Sequence, residues 1–265
     1  MSGKNMESTE VDTLDHCRSF LATLQLALKA CEAGMTRPTP VLSIGCELDG
    51  YILRLPVQDI RHAMLLKQAA ALHYLYAAFA LCDADLYMAQ GAAQRMADEA
   101  TDDVCFLAQG IIEGETPLHE KFLNSFWSDH DEDHGNTNNV RKAHSVRREK
   151  IHAALNANSD DPSRAGLLAK RLHKTYSGFV HASSANVMDL YDAYRHTFCV
   201  ERGPAYLRED HVYDLWNYCY RAGLAFLAAA KAYGSARLLS QVEEGLVSFQ
   251  RVCGRDGGYK IDNAQ

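Results

Sequence analysis

The sequence predicts an all-α protein, a bundle of about eight helices with at most one small β-hairpin. Three observations carry that prediction. Apolar residues recur at helical spacing over most of the 265 positions. Cap-plus-proline pairs, Thr116-Pro117 and Asp161-Pro162, mark helix starts. Strand-like runs are confined to residues 41–55. The length suits one large domain with a sizeable core, and 1–265 reads as a single helical unit.

Leu14, Cys17, Leu21, Leu24, Leu28 and Cys31 share one helix face, and Gly34 supplies the stop, so residues 1–34 hold the first helix. Residues 35–56 are irregular or a hairpin: Val41–Ile44 and Tyr51–Leu55 flank the turn signal Asp49-Gly50. The helical core then runs over 57–253. Within it the pattern predicts a helix from Val57 to Gln90, a break at Gly91, and a helix over Ala92–Ile112. Thr116-Pro117 opens a helix to Trp127, and 128–139 is a polar loop. A basic helix covers 140–156, and Asp161-Pro162 opens another through Tyr176. A short helix near Ala185–Tyr194 and an irregular stretch to Tyr206 follow. Glu209–Tyr233 is a long helix, and Ser235 caps a last one with the stripe Leu238, Val242, Leu246, Phe249, Cys253. Residues 254–265 read as a mobile tail.

The eight cysteines form no C-x-x-C pair, which excludes a zinc ribbon or a thioredoxin-type motif and fits a reducing cytoplasm. No run is apolar and long enough to predict a signal peptide or membrane span, so no membrane partner is expected. The net charge of −7 argues against a protein coated in positive charge. Charge is nevertheless uneven: residues 141–174 carry nine Lys or Arg against three acids. Arg141, Lys142, Arg147, Arg148 and Lys150 are therefore candidates for a nucleic-acid face, against the plainer reading of a solvated helix.

Lys170 to His196 concentrates histidine, tyrosine and serine among apolar residues such as Leu172, Phe179 and Val180. His173, Ser177 and His181 follow i, i+4, i+8 spacing, with Tyr176 alongside, so a helix continuing past Gly178 puts them on one face. Imidazoles beside hydroxyls suit acid–base chemistry near neutral pH. The competing reading ends the helix at Ser177-Gly178 and makes both histidines structural. Upstream, Arg95 and Glu99 are an i, i+4 pair in a segment where Asp98, Glu99, Asp102 and Asp103 crowd together; such acids repel unless basic groups sit opposite. The pairings needed for a di-iron bundle are absent there, and no metal or other cofactor is predicted. His130-Asp131-Glu132-Asp133-His134 lies in the most loop-like stretch, where ligands lack rigid support. Phosphate-loop, dinucleotide-fold and nucleophile-elbow motifs are missing.

RMADEATDDVCFLA and TYSGFVHASS, over roughly residues 58–195, together resemble a group of bacterial all-helical proteins similar to the HEPN superfamily. That group carries an Arg-x-x-x-Glu helix, matched by Arg95 and Glu99, and a later Tyr-x-x-Ser-x-x-x-His pattern. Tyr176, Ser177 and His181 supply the latter set, with the tyrosine directly abutting the serine. The resemblance implies a helical fold and, as in many HEPN proteins, a metal-independent ribonuclease of a toxin or antiviral system. It implies His181, Arg171, His173, Tyr176 and Ser177 as catalytic candidates, supported by Arg95 and Glu99. The HEPN mark, arginine and histidine with four to six residues between them, is not met at His181, since nine residues separate it from Arg171. Arg147 and His152 meet it, but 12 histidines supply such matches by chance, so the pair assigns nothing. Two readings stand open: an RNA- or nucleotide-directed hydrolase, or a non-catalytic module that binds a partner or forms a homo-oligomer.

Overall fold

A computed structural model describes residues 3–42, 51–131 and 146–259 of the chain. Nine helices run through them in the order α1 (Gly3–Glu32), α2 (Ile60–Asp83), α3 (Tyr87–Glu113), α4 (Pro117–Asp131), α5 (Arg148–Leu155), α6 (Pro162–Val180), α7 (Ser184–Met188), α8 (Arg208–Tyr233) and α9 (Ala236–Val252). Two small antiparallel sheets complete them. β1 (Thr39–Leu42) pairs with β2 (Tyr51–Arg54), and β3 (Tyr191–Asp192) pairs with β4 (Thr197–Phe198). The all-α bundle with a hairpin near 41–55 is therefore the fold.

The α1 stripe does what its spacing requires. Leu14, Cys17, Leu21, Leu24 and Cys31 are buried against Leu215, Cys219 and Phe226 of α8 and Leu238, Val242, Leu246 and Phe249 of α9. Phe20 stacks on Phe249 with centroids 4.5 Å apart. Fully burying each such side chain stabilises the fold by about 1.5–3 kcal/mol. A second cluster joins α2, α3, α4, α5 and the end of α8 through Met64, Val104, Phe106, Leu107, Phe122, Ile151 and Ala229. α2 is long and apolar enough to cross a membrane by length and composition. Here it packs on α1, α3 and α8.

Several boundaries differ from the expected ones, each for a physical reason. The break expected at Gly91 falls at 84–86, where Asp85 adopts a left-handed φ of 57°, a conformation aspartate tolerates. Gly91 lies inside α3 as a packing residue: a Cβ there would stand 2.5 Å from the Phe179 ring. α4 continues to Asp131, past the expected end at Trp127. The remainder of the acidic loop and the turn Asp49-Gly50 lie outside the described residues. α5 begins only at Arg148. α6 does not stop at Tyr176; it runs through Gly178 to Val180. The short helix ends at Met188, and Tyr191 turns into a two-residue ladder that periodicity did not signal. Asp161 and Ser235 cap α6 and α9 as expected, their side chains accepting from the Arg164 and Leu238 amides. After α9 the chain folds back: the Tyr259 amide donates to the Tyr220 hydroxyl, and the Gly257 amide to Gln250.

Candidate functional site

α3 carries its four acids on two adjacent steps of the helix, so their charges must be met from neighbouring elements. The bundle supplies those partners. From α2, Lys67 Nζ reaches Asp103 Oδ2 at 2.8 Å. From α5, Arg148 Nη1 donates to Asp103 Oδ1 at 2.6 Å and to the Glu99 carbonyl at 3.2 Å. His152, one turn further along α5, sets Nε2 2.8 Å from Asp102 Oδ2. From α8, Arg221 places Nη1 2.5 Å from Asp98 Oδ1 and Nη2 3.6 Å from Asp102 Oδ1. Arg95 pairs with Glu99 along α3 itself. Four carboxylates thus face four permanent cations, and the network ties α2, α5 and α8 to α3.

Burial grades this network from floor to mouth. Asp103 and Arg95 have side chains only 2% and 5% exposed, whereas Glu99 is 43% exposed. His173 of α6 closes the mouth. Its Nε2 lies 3.9 Å from Glu99 Oε1, and its ring stands 6.0 Å from that of His152 in a T-shaped arrangement. One turn on, Tyr176 meets Tyr218 edge-on at 5.4 Å. The tyrosine also lies close to the Asp214 carboxyl. α6 presents these residues inward because 173 and 176, three apart, share the helix face turned to α3 and α8.

The electrostatics follow from that gradient. Burial, together with the nearby Arg95 charge, lowers the His173 pKa, with Glu99 opposing. The imidazole is therefore neutral at pH 7. Burial pushes Asp98 up to about 6 despite Arg221 beside it. Asp102 is buried too, which alone would raise it, but the His152 hydrogen bond and the Arg221 charge bring it below the usual carboxylate range. Burial raises Tyr176, which keeps its proton. Below the mouth, His211 stacks on Tyr87 at 4.5 Å with Phe179 edge-on at 6.3 Å, and burial drops it to about 4.

The structure brings together Arg95, Glu99, His173, Tyr176 and Arg148 from the sequence-derived set. His181 is the exposed C-cap of α6, its amide donating to the Ser177 carbonyl. Among the described residues, no hydrogen bond or ion pair links the His181 or Arg171 side chain to the network. Arg171 is exposed, and Ser177 is half-buried. Arg147 is an exposed N-cap and Lys150 is exposed, whereas Arg141 and Lys142 lie outside the described residues. Sequence reasoning set His152 aside as a chance match with Arg147, took Tyr218 as a core aromatic, and passed over Lys67, Asp214 and Arg221. The available signals were the Arg147–His152 spacing, which chance could also supply, and the acid cluster, which demanded bases without saying where they sit in the chain.

Among the described residues, no group of three or more His, Cys, Asp or Glu is arranged to hold a metal. Two cavities lie elsewhere. One of about 730 Å³ sits between the end of α1, β2 and α2, walled by Leu53, Leu55, Leu65 and Leu66, with no histidine, cysteine or aromatic ring. Another of about 290 Å³ is apolar and lies against Phe179, Met88 and Val200. Neither holds acid–base groups comparable to the mouth at His173. Comparison with family models, curated proteins and solved structures finds no match.

Proposed function

We propose that this chain is an HEPN-like RNA- or nucleotide-directed hydrolase of a bacterial toxin or defence system, working without a metal at the mouth of the α3 network. The observation that carries the reading is His173: a neutral, one-third-exposed imidazole beside a second imidazole and two guanidinium groups. A neutral imidazole can take a proton from a ribose 2′-hydroxyl. The 2′-oxygen then bonds to phosphorus and the bond to the 5′-oxygen breaks. In this reading a protonated His152, hydrogen-bonded to Asp102, donates its own proton to that leaving oxygen while His173 keeps the one it took. Arg95 and Arg148 supply positive charge to the phosphate as its own charge grows. The HEPN likeness enters through Arg95–Glu99 and the α6 cluster, with His173 taking the role expected of His181.

A specific observation favours a second reading. The network is balanced in charge and most of it is deeply buried, as suits cross-helix glue in a non-catalytic, partner-binding or homodimerising module. Cleavage of single-stranded RNA and of nucleotides by wild type, His173→Ala, His152→Ala and His181→Ala, with a chelator present, separates the two. The hydrolase reading expects wild-type turnover in chelator and a loss of about a hundredfold or more in His173→Ala and in His152→Ala, with melting unchanged in His173→Ala. No turnover by the wild type, or equal turnover in all four, would overturn it.

A further inference from the structure

The outer face of α6 is the least explained surface of the molecule. In a chain of net charge −7 this 19-residue helix contains Arg164, Lys170, Arg171 and Lys174 and no acid at all. Its inner face carries His173 and Tyr176; all four cations point outward and are exposed. Between them stand Leu167 and Leu168, 50% and 49% exposed. The segment that follows adds exposed apolar surface but no excess of positive charge, since Asp189, Asp192 and Glu201 offset its two arginines. α7 folds back on the end of α6, the Ser183 amide donating to the Gly178 carbonyl at 2.9 Å. From Val180 to Tyr206 the chain then exposes Met188, Tyr194, Phe198 and Val200, while Arg195 and Arg202 pair with Asp192 and Asp85. Large exposed apolar side chains that concentrate in one stretch mark an interaction surface.

We infer that the outer face of α6 docks on an anionic lipid bilayer surface. Charge complementarity selects the partner class: a basic helix in an acidic chain is drawn to a polyanion, while the remainder of the chain is repelled and turned away. A second copy of this chain is disfavoured, because a twofold contact would set two acid-free helices against each other. The leucines then favour lipid over nucleic acid. Aliphatic side chains gain nothing from phosphates, whereas an interface buries them among acyl chains as lysine and arginine stems extend to the headgroups. Nothing in this contact requires spanning the membrane.

The test is flotation of the full chain with vesicles of phosphatidylcholine alone and of phosphatidylcholine mixed with phosphatidylserine, at low and high salt. The protein is expected to float only with the anionic vesicles and to be released by salt. Lys170→Glu and Lys174→Glu should each weaken partitioning roughly fivefold or more. Leu167→Asp with Leu168→Asp should weaken it without lowering the melting temperature, since both leucines are solvent-facing. Flotation with neither vesicle, or equally with both, overturns the inference. So does single-stranded RNA binding lost in Lys170→Glu without vesicle binding, which assigns the face to nucleic acid. A dimer broken by the same substitution assigns it to a second copy and likewise overturns it.

Discussion

On one side of α8, Leu215, Cys219 and Phe226 meet α1 and α9 through apolar contact alone. On another, Arg221 reaches across to Asp98 and Asp102 of α3. Both surfaces are interior, yet they specify structure differently. Apolar burial is nondirectional and scales with area, so any well-shaped hydrophobe serves. A buried charge tolerates only a partner of opposite sign at the right place, so the α3 side fixes which helices lie next to it.

Substitutions on the two sides should therefore fail in different ways. The largest effect is expected for Asp103→Ala, which strands Lys67 and Arg148 together. Denaturant unfolding should show a loss of about 3–5 kcal/mol, and a value under 1 would mean the network is dispensable. Leu246→Ala, at a fully buried site against α1, should cost about 2–4 kcal/mol by the same measurement. Unlike the first, this loss should not vary with ionic strength.

Acid sharpens the contrast. Burial holds His211 near 4, below its ordinary value near 6.5. The unfolded chain therefore binds a proton that the folded chain refuses over that window. The contribution is intact above pH 6.5 and is lost as pH falls towards 4, by at most about 3 kcal/mol. His211→Leu should flatten the stability–pH curve there; an unchanged slope would show that other groups govern acid sensitivity. Smaller still, Ser235→Ala removes the α9 cap and should cost about 1 kcal/mol, read as a lower unfolding midpoint.

The same contrast explains what the sequence could reveal. The α1 and α9 stripes are local patterns, and most residues read from them are buried, Leu21, Leu24, Val242 and Leu246 among them, while Leu28 and Cys253 are half-buried. Caps at Asp161 and Ser235 are local as well. Gly91 misled because a glycine chosen for contact with Phe179, far along the chain, looks identical to one chosen to break a helix. The charged site is nonlocal throughout: Asp103 meets Arg148 across 45 positions, and Arg221 lies further still from Asp98. Sequence therefore marked Arg95, Glu99 and His173 as site material, but not the helices that complete their surroundings. His181 shares the inward spacing of His173 on paper. It is exposed because α6 ends there and its cap turns outward.

The central claim is that α6 delivers His173, as a neutral imidazole, to the mouth of the charged α3 network. Following the histidine ring resonances by NMR across pH tests it directly. The His173 pKa should lie below the free-imidazole value and rise in Arg95→Gln, because the Arg95 charge helps depress it. A His173 that titrates at or above the ordinary value, indifferent to Arg95, would contradict the account.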